Sequence, residues 1–491
     1  MDFLDPKKRR ANTIKLFIGY CLMALLLILG TVVLIYAANG YSLDTNTGQV
    51  IQNGLLFVDS VPAQSTVFLD DKEQGKTEQR LVLPESQYTI KVTKPGYDTW
   101  KKVVEINGGS IERHPYVLLL PQDVKSKNIQ NYTVPPMFIS GSNGKKWVIA
   151  MRSNESNVID KYDISKSIII PSTISIPDSI VTVTDKPLTY KAMEWSNDES
   201  HVLLRRTAEG VDEYLVLDIN SPDKSVNINK TFGVNPKKLT FRDSQSNDLY
   251  ILEQSVNTLR RLDLAAKTVS TPIATNVADY TSFGKDRIMY NALREGDATK
   301  TDIKITTASG DQIIKTYTTS ATGGEQLAIG LFENNWYYAF NIPSEEKAFI
   351  YKNPAEEILR NKNKIVNPTQ IYHAKDIKMI GVSPSQRFIS FHYGTTYFVY
   401  DIETSRQHKF VLKTEVDPNF EPVWLDGFRL LVKDSKSSNI FDFDGTNIRK
   451  LTDQIIGQPF LDAEYNKFLT LSNEAAGGLV LKEHSLVVIE K

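Results

Sequence analysis

Six histidines, at positions 114, 201, 373, 392, 408 and 484, and one cysteine, Cys21, are the only side chains that bring imidazole or thiolate chemistry to this sequence. No two of the histidines stand at a metal-ligand spacing, and a lone cysteine builds neither a disulfide nor a thiolate metal site within one chain. His392, beside Tyr393 near the end of an apolar strand-like run, is the first to inspect, although packing at a core or rim explains it more simply than catalysis. The triplet Gly75, Lys76, Thr77 lacks the upstream G-x-x-x-x-G and the strand-to-helix context of a phosphate loop. A G-x-S-x-G nucleophile elbow, an H-E-x-x-H helix, a Walker loop and a repeated sialidase box are all missing from the sequence. We therefore expect no enzyme, no catalytic residue, no cofactor and no metal.

Five aspartates, Asp163, Asp218, Asp263, Asp401 and Asp442, close apolar runs such as "LVLDIN" and "FVYDIE", and "DFDGTN" at 442–447 has some of the spacing of a calcium loop. Their recurrence at one place in successive units argues for a turn instead. A carboxylate opening a turn accepts backbone N–H bonds, and that need repeats with the unit, whereas a metal site needs its ligands to converge.

Lys and Arg total 57 against 58 for Asp and Glu, with no basic block beyond the first fifteen residues, so nucleic acid is not an expected partner. From Leu16 to Ala38 run 23 uncharged residues, which as a helix rise about 34 Å against a hydrocarbon core of roughly 30 Å. The run is longer than a signal-peptide core, and Tyr36 stands where a cleavage site needs a small residue, so we read an uncleaved anchor in membrane lipid. Lys7, Lys8, Arg9, Arg10 and Lys15 precede it, and no Lys or Arg follows until Lys72, which sets the N-terminus in the cytoplasm and the bulk of the chain outside.

Beyond the anchor, "LLFVDS", "STVFLD", "QRLVL", "QYTIKV" and "WKKVVEI" alternate apolar and polar residues between Gly-, Pro- and Asp-containing turns, the pattern of a small antiparallel β-domain. The run "SVPAQSTVFLDDKEQGKTEQRLVLPESQYTIKVTKPGYDTWKKVVEI" resembles a PEGA domain, a small bacterial β-sandwich: Gly75-Lys76-Thr77, then Pro84-Glu85-Ser86-Gln87-Tyr88, then Lys94, Gly96, Tyr97 and Trp100 match its motifs. Ser86 in place of the usual Gly requires a turn without positive φ there. Tyr97 and Trp100 are expected to cover one end of the small core; exposed, they would be the candidate pair for stacking on a glycan ring.

From Met137 onward the pattern remains β, and eight strand-like anchors recur: 145–151, 200–205, 247–253, 286–291, 335–340, 387–392, 428–433 and 467–472. Spread over the remaining chain they give about 44 residues per unit, near a four-stranded propeller blade; seven units would give about 51. The turn before the anchor and the aspartate after the next strand resemble TolB-like and WD-repeat-like blades, with the fourth and fifth units departing most. "HSLVVIEK" at the C-terminus is β-prone, so residues 486–491 are expected to form the strand that closes the ring; otherwise the seam falls to the segment after Pro121.

The expected fold is all-β with one N-terminal transmembrane helix, a small PEGA-like β-sandwich and a seven- or eight-bladed β-propeller. Its segments are a basic tail (1–12), an anchor (13–38), a spacer (39–53), the PEGA-like domain (54–121), a linker (122–136) and the propeller (137–491). The expected function is an envelope binding or scaffold protein whose partner is an unidentified protein or a cell-wall glycan. A propeller enzyme acting on envelope polysaccharide or peptide, and a TolB-like accessory of a transport complex, are the alternatives.

Overall fold

An N-terminal helix, Pro6–Ala38, precedes a chain that is otherwise almost entirely strand. The computed structural model describes all residues except 1–5, 39, 44–49, 156, 308–309, 320–322, 361–365, 414–415, 418–419, 475–476 and 489–491. The chain divides into two units near Asp123. Within the helix, Thr13–Ala38 is a 26-residue apolar stretch containing an 18-residue window of mean hydropathy 2.7 in which no residue is buried by the protein. A helix that is apolar all round and left bare is suited to lipid.

The first unit is a sandwich of two four-stranded sheets. One sheet holds Tyr41–Leu43, Val50–Val61, Gln79–Pro84 and Ile111–Leu118; the other holds Thr66–Leu69, Lys72–Lys76, Ser86–Thr93 and Trp100–Ile106. Alternation sends Leu56, Val58, Val67, Ile90, Val92 and Trp100 inward, where all six are fully buried. The unit is not wholly antiparallel as expected. Val50–Val61 pairs in parallel with Ile111–Leu118, placing Leu55 opposite Ile111 and Val58 opposite His114. A pairing between strands that far apart in sequence leaves no turn signature for sequence reading to find. The segment read as a spacer already contains Tyr41–Leu43 and the start of the next strand, paired with each other. Ser86 opens a strand outside the left-handed region, so the serine is tolerated where the usual glycine is missing.

The second unit contains, among the described residues, eight four-stranded antiparallel sheets, the blades of a propeller. Seven are continuous in sequence: 138–175, 188–227, 236–269, 277–318, 327–373, 378–411 and 423–453. In each, four strands (a to d) follow one another as a meander, and the a strands of neighbouring blades lie against one another, which places them innermost. All eight sequence anchors are b strands. A b strand lies between two others and is covered on both faces by neighbouring blades, so it reads as a continuous apolar run. Blade 5 carries a helical insertion, Pro354–Arg360, before its d strand, consistent with its weak repeat signature.

The eighth blade corrects the expected closure. Its first three strands are Ile456–Leu461, Lys467–Asn473 and Leu479–Ser485, and its fourth is Ser126–Tyr132, from inside the segment read as a linker. Residues 486–488 form no strand, and 489–491 lie outside the described residues. Drawing the outer strand from the beginning of the unit and the other three from its end fastens the ring non-covalently, leaving no open seam. Tyr132 completes the closure: its hydroxyl meets Tyr162 Oη at 2.6 Å and donates to Asp160 Oδ2 at 3.0 Å, both in blade 1. Around them Leu469, Leu471 and Leu481 pack on Val148, Ala150 and Ile164. Similar apolar seams run between blades 1 and 2, 2 and 3, and 5 and 6. Trp195 and Trp424, at the ends of a strands, each donate an indole N–H to a serine of the preceding blade, Ser140 and Ser390, at 3.0 and 2.9 Å.

Candidate binding site

The residues singled out in the sequence divide cleanly between framework and site. Trp100 has no exposed surface and Tyr97 almost none, so neither offers a ring face to a glycan. Trp100 instead packs against His114 and Tyr116, whose rings lie 6.1 Å away, and Tyr97 bridges to Pro121. The Gly75-Lys76-Thr77 turn is also framework: Thr77 Oγ1 accepts from the Ser65 N–H at 3.1 Å and meets Ser60 Oγ at 2.8 Å. Lys7, Lys8, Arg9, Arg10 and Lys15 all lie on the N-terminal helix, ahead of or at the start of its apolar run.

The five aspartates each end a c strand. Asp163 Oδ1 accepts from Ser165 N–H, Asp218 Oδ1 from Asn220 and Ser221, Asp263 Oδ1 from Ala266, and Asp401 Oδ1 from Glu403. Asp442 accepts from the Asn447 side-chain amide in the corresponding turn. Each carboxylate thus serves its own c-to-d turn, and the set does not converge. Among the described residues no group of three or more His, Cys, Asp or Glu side chains is placed to hold a metal ion.

His392 is the one histidine that structure and sequence together single out. It lies near the end of the blade 6 b strand, Phe388–Tyr393, opposite Lys378 on one side and Tyr397 on the other. Blades 1, 2 and 4 close the corresponding corner with an ion pair, Arg152–Asp160, Arg206–Glu213 and Arg294–Asp302. Blade 6 instead stacks the imidazole on Tyr397, with ring centres 5.2 Å apart and planes 17° apart. The corner of blade 6 is thus built from rings where those three blades use opposite charges.

The hydrogen bonds specify the state of the imidazole. His392 is only 7% exposed, and Nδ1 lies 3.1 Å from the Gly394 carbonyl oxygen, which can only accept. Nδ1 therefore carries the proton, and in the neutral ring Nε2 is a bare acceptor. That atom is buried without a hydrogen-bond partner, as is the Tyr397 hydroxyl beside the ring. Burial lowers the His392 pKa, outweighing the Gly394 carbonyl bond and the Glu421 carboxylate, which raise it, and so favours the neutral ring. A buried acceptor with no donor costs free energy, and a ligand that supplies the donor recovers it.

The imidazole lines a cavity of about 450 Å³, together with Asp376, Lys378, Asp417, Phe420 and Glu421. All of these come from one face of the ring, where a strands begin, b strands turn into c strands and d strands cross to the next blade. Asp417 N–H donates to Lys433 O of blade 7 at 2.8 Å, and Phe420 N–H donates to Asp417 O at 3.1 Å. The Lys433 ammonium sits 4.6 Å from the Phe420 ring centre and donates to Ile455 O, holding the ring at the rim. Three carboxylates against one lysine give the pocket a surplus of two negative charges with His392 neutral. Its chemistry is that of acceptors: hydroxyl, ammonium or guanidinium donors fit it, and anions do not. Sequence reading reached His392 but missed the loop. The available signal was "EVDPNFEP" at 415–422, an aromatic residue between acidic ones in an inter-blade connection flanked by prolines.

The PEGA domain profile matches residues 53–113. A search of curated protein sequences finds no match. Among solved structures, the Dos1 propeller is similar with 11% identity and a TM-score of 0.43 over 75% of this chain and 95% of that one. Oligogalacturonate lyase in complex with manganese gives 10% and 0.38 over 74% and 98%, and Kluyveromyces lactis Hsv2 gives 10% and 0.36 over 71% and 97%. The blade count rests on the eight sheets themselves. The chain carries a PEGA domain at residues 53–113, followed by an eight-bladed β-propeller.

Proposed function

We propose that this chain is a single-pass, membrane-anchored protein of the bacterial envelope, with its PEGA domain and propeller outside the cytoplasm, and that the propeller binds a donor-rich cationic partner at the pocket between blades 6 and 7. The anchor reading is supported by the bare apolar helix and by the five basic residues on its N-terminal side. The observation that carries the binding reading is His392, a buried acceptor without a donor, lining an acidic cavity. The same geometry favours binding over catalysis. A carbonyl, not a carboxylate, orients the imidazole, and burial holds the ring neutral, so it accepts a hydrogen bond without being tuned to relay protons. The donor belongs to a lysine- or arginine-bearing protein segment or to an amino-bearing cell-wall glycan, which share the cationic N–H donors that the acidic lining and His392 Nε2 would accept.

The test uses the full-length chain in detergent with two probes, a fluorescent oligolysine peptide and purified cell-wall sacculi. Either probe should bind the wild type in a salt-sensitive way, and the double variant Asp376→Lys, Glu421→Lys should weaken binding about tenfold or more. His392→Phe, which fills the same space without the acceptor, should weaken it while leaving the melting temperature near wild type. The oligolysine arm reports a protein partner and the sacculus arm a glycan one. Binding of both probes unchanged by these variants would contradict the assignment.

A further inference from the structure

We infer that the outer face of the PEGA sheet beside the membrane helix rests on the lipid headgroups and binds their phosphates through Arg80 and Arg113; the inference depends on the helix being a membrane anchor. The face is assembled in register from three strands. Leu55 lies opposite Val82 on one side and Ile111 on the other, and two residues along, Phe57 lies opposite Arg80 and Arg113. One cross-strand row is thus Val-Leu-Ile and the next Arg-Phe-Arg, on the side of the sheet opposite the buried Leu56 and Val58. Val82 and Ile111 are 59% and 53% exposed, a contiguous apolar row left uncovered within this unit.

The helix end fixes what covers it. Gly40 N–H donates to Ala37 O at 3.1 Å, Gly40 O accepts from Asn53 N–H at 2.8 Å, and Tyr41–Leu43 pairs with the strand that carries Leu55 and Phe57. Ala37 and Ala38 line one cavity of about 450 Å³ together with Leu55, Arg80, Val82 and Ile111. The 26-residue apolar helix rises about 39 Å, more than a hydrocarbon core of roughly 30 Å, which leaves turns at its ends for the headgroup layer, the last turn among them. A face that shares a cavity with that last turn meets the same layer. Tyr36 and Tyr41, with rings 5.2 Å apart, sit at this level, where tyrosines favour the membrane–water boundary. Among the described residues the only partner of each guanidinium is the Phe57 ring between them, at 5.8 and 5.5 Å. The arrangement presents two arginines to an anionic layer and an apolar row to the zone just below it, and an anionic leaflet strengthens association about fivefold per arginine.

The experiment places the full-length chain, with Cys21→Ser, in phosphatidylcholine nanodiscs with and without phosphatidylglycerol. An environment-sensitive dye is attached at Val82→Cys or, on the other sheet, at Glu73→Cys, and nitroxide-headgroup lipids serve as quencher. Quenching at position 82 should exceed that at 73 about threefold, and rise with phosphatidylglycerol in a manner abolished by Arg80→Gln with Arg113→Gln. A chain that does not enter nanodiscs overturns both the anchor reading and this inference. A chain that inserts but shows equal quenching at both positions overturns this inference alone, as does a dye at 82 shielded from water without lipid quenching, the signature of a protein partner on the face.

Discussion

Protonation of His484 should loosen the blade that closes the ring. Its strand, Leu479–Ser485, is paired on one side with Lys467–Asn473 and on the other with the closing strand Ser126–Tyr132, with His484 opposite both Phe468 and Ser126. The imidazole stacks on Phe468 at 4.6 Å and its Nε2 lies 2.8 Å from Thr470 Oγ1. Burial, helped by Lys482, lowers its pKa from 6.5 to about 4. Above pH 6.5 the ring is neutral in the folded and unfolded chain alike. As pH falls from 6.5 toward 4 the unfolded chain takes up a proton that the folded blade refuses, so stability falls; below about 4 both states are protonated and the loss stops. A shift of that size corresponds to about 3 kcal/mol. Urea titrations of the wild type and His484→Gln at several pH values between 7.5 and 4 isolate the effect, because every other titrating group is common to both. The stability difference should move by about 3 kcal/mol in favour of the glutamine variant as pH drops, with amide exchange in residues 126–132 accelerating in the wild type. A difference that stays flat to within about 0.5 kcal/mol across that range would refute the reasoning.

Trp100→Ala should destabilise the PEGA domain by roughly 3 to 5 kcal/mol, because the side chain is wholly buried in a small core, read as loss of its melting transition. Deleting residues 124–132 should lower the melting temperature of the propeller and admit protease at the blade 8 edge; an unchanged melt would mean that the ring does not depend on this strand. Asp426→Ala should cost about 3 kcal/mol by removing the carboxylate buried against Arg429 at 2.6 Å, and the additional change Arg429→Met should recover part of that loss in denaturant titration.

What sequence reading recovered follows from which strands announce themselves. The b strands are buried on both faces, so "SHVLLR" or "RFISFH" stands out as an apolar block, and all eight were legible. The outer strands Val226–Asn227 and Thr268–Val269 are two residues long and carry no period. Ser126–Tyr132, "SKNIQNY", is polar and largely exposed because it is an edge strand, and only its pairing with Leu479–Ser485 reveals its role. The C-terminal "HSLVVIEK" has the higher β propensity, but propensity does not choose a partner. The pocket was half legible: His392 stood out as a polar residue ending an apolar strand, whereas Asp376, Lys378 and Glu421 meet it only through the crossing from blade 6 to blade 7.

The central claim, a propeller held outside the cytoplasm by the N-terminal helix, is tested most directly by fusing either alkaline phosphatase or green fluorescent protein to Lys491 in a bacterial host. The account predicts an active phosphatase fusion and a dark fluorescent one, since five basic residues hold the N-terminus inside. A fluorescent fusion with an inactive phosphatase would contradict it, placing the pocket around His392 in the cytoplasm.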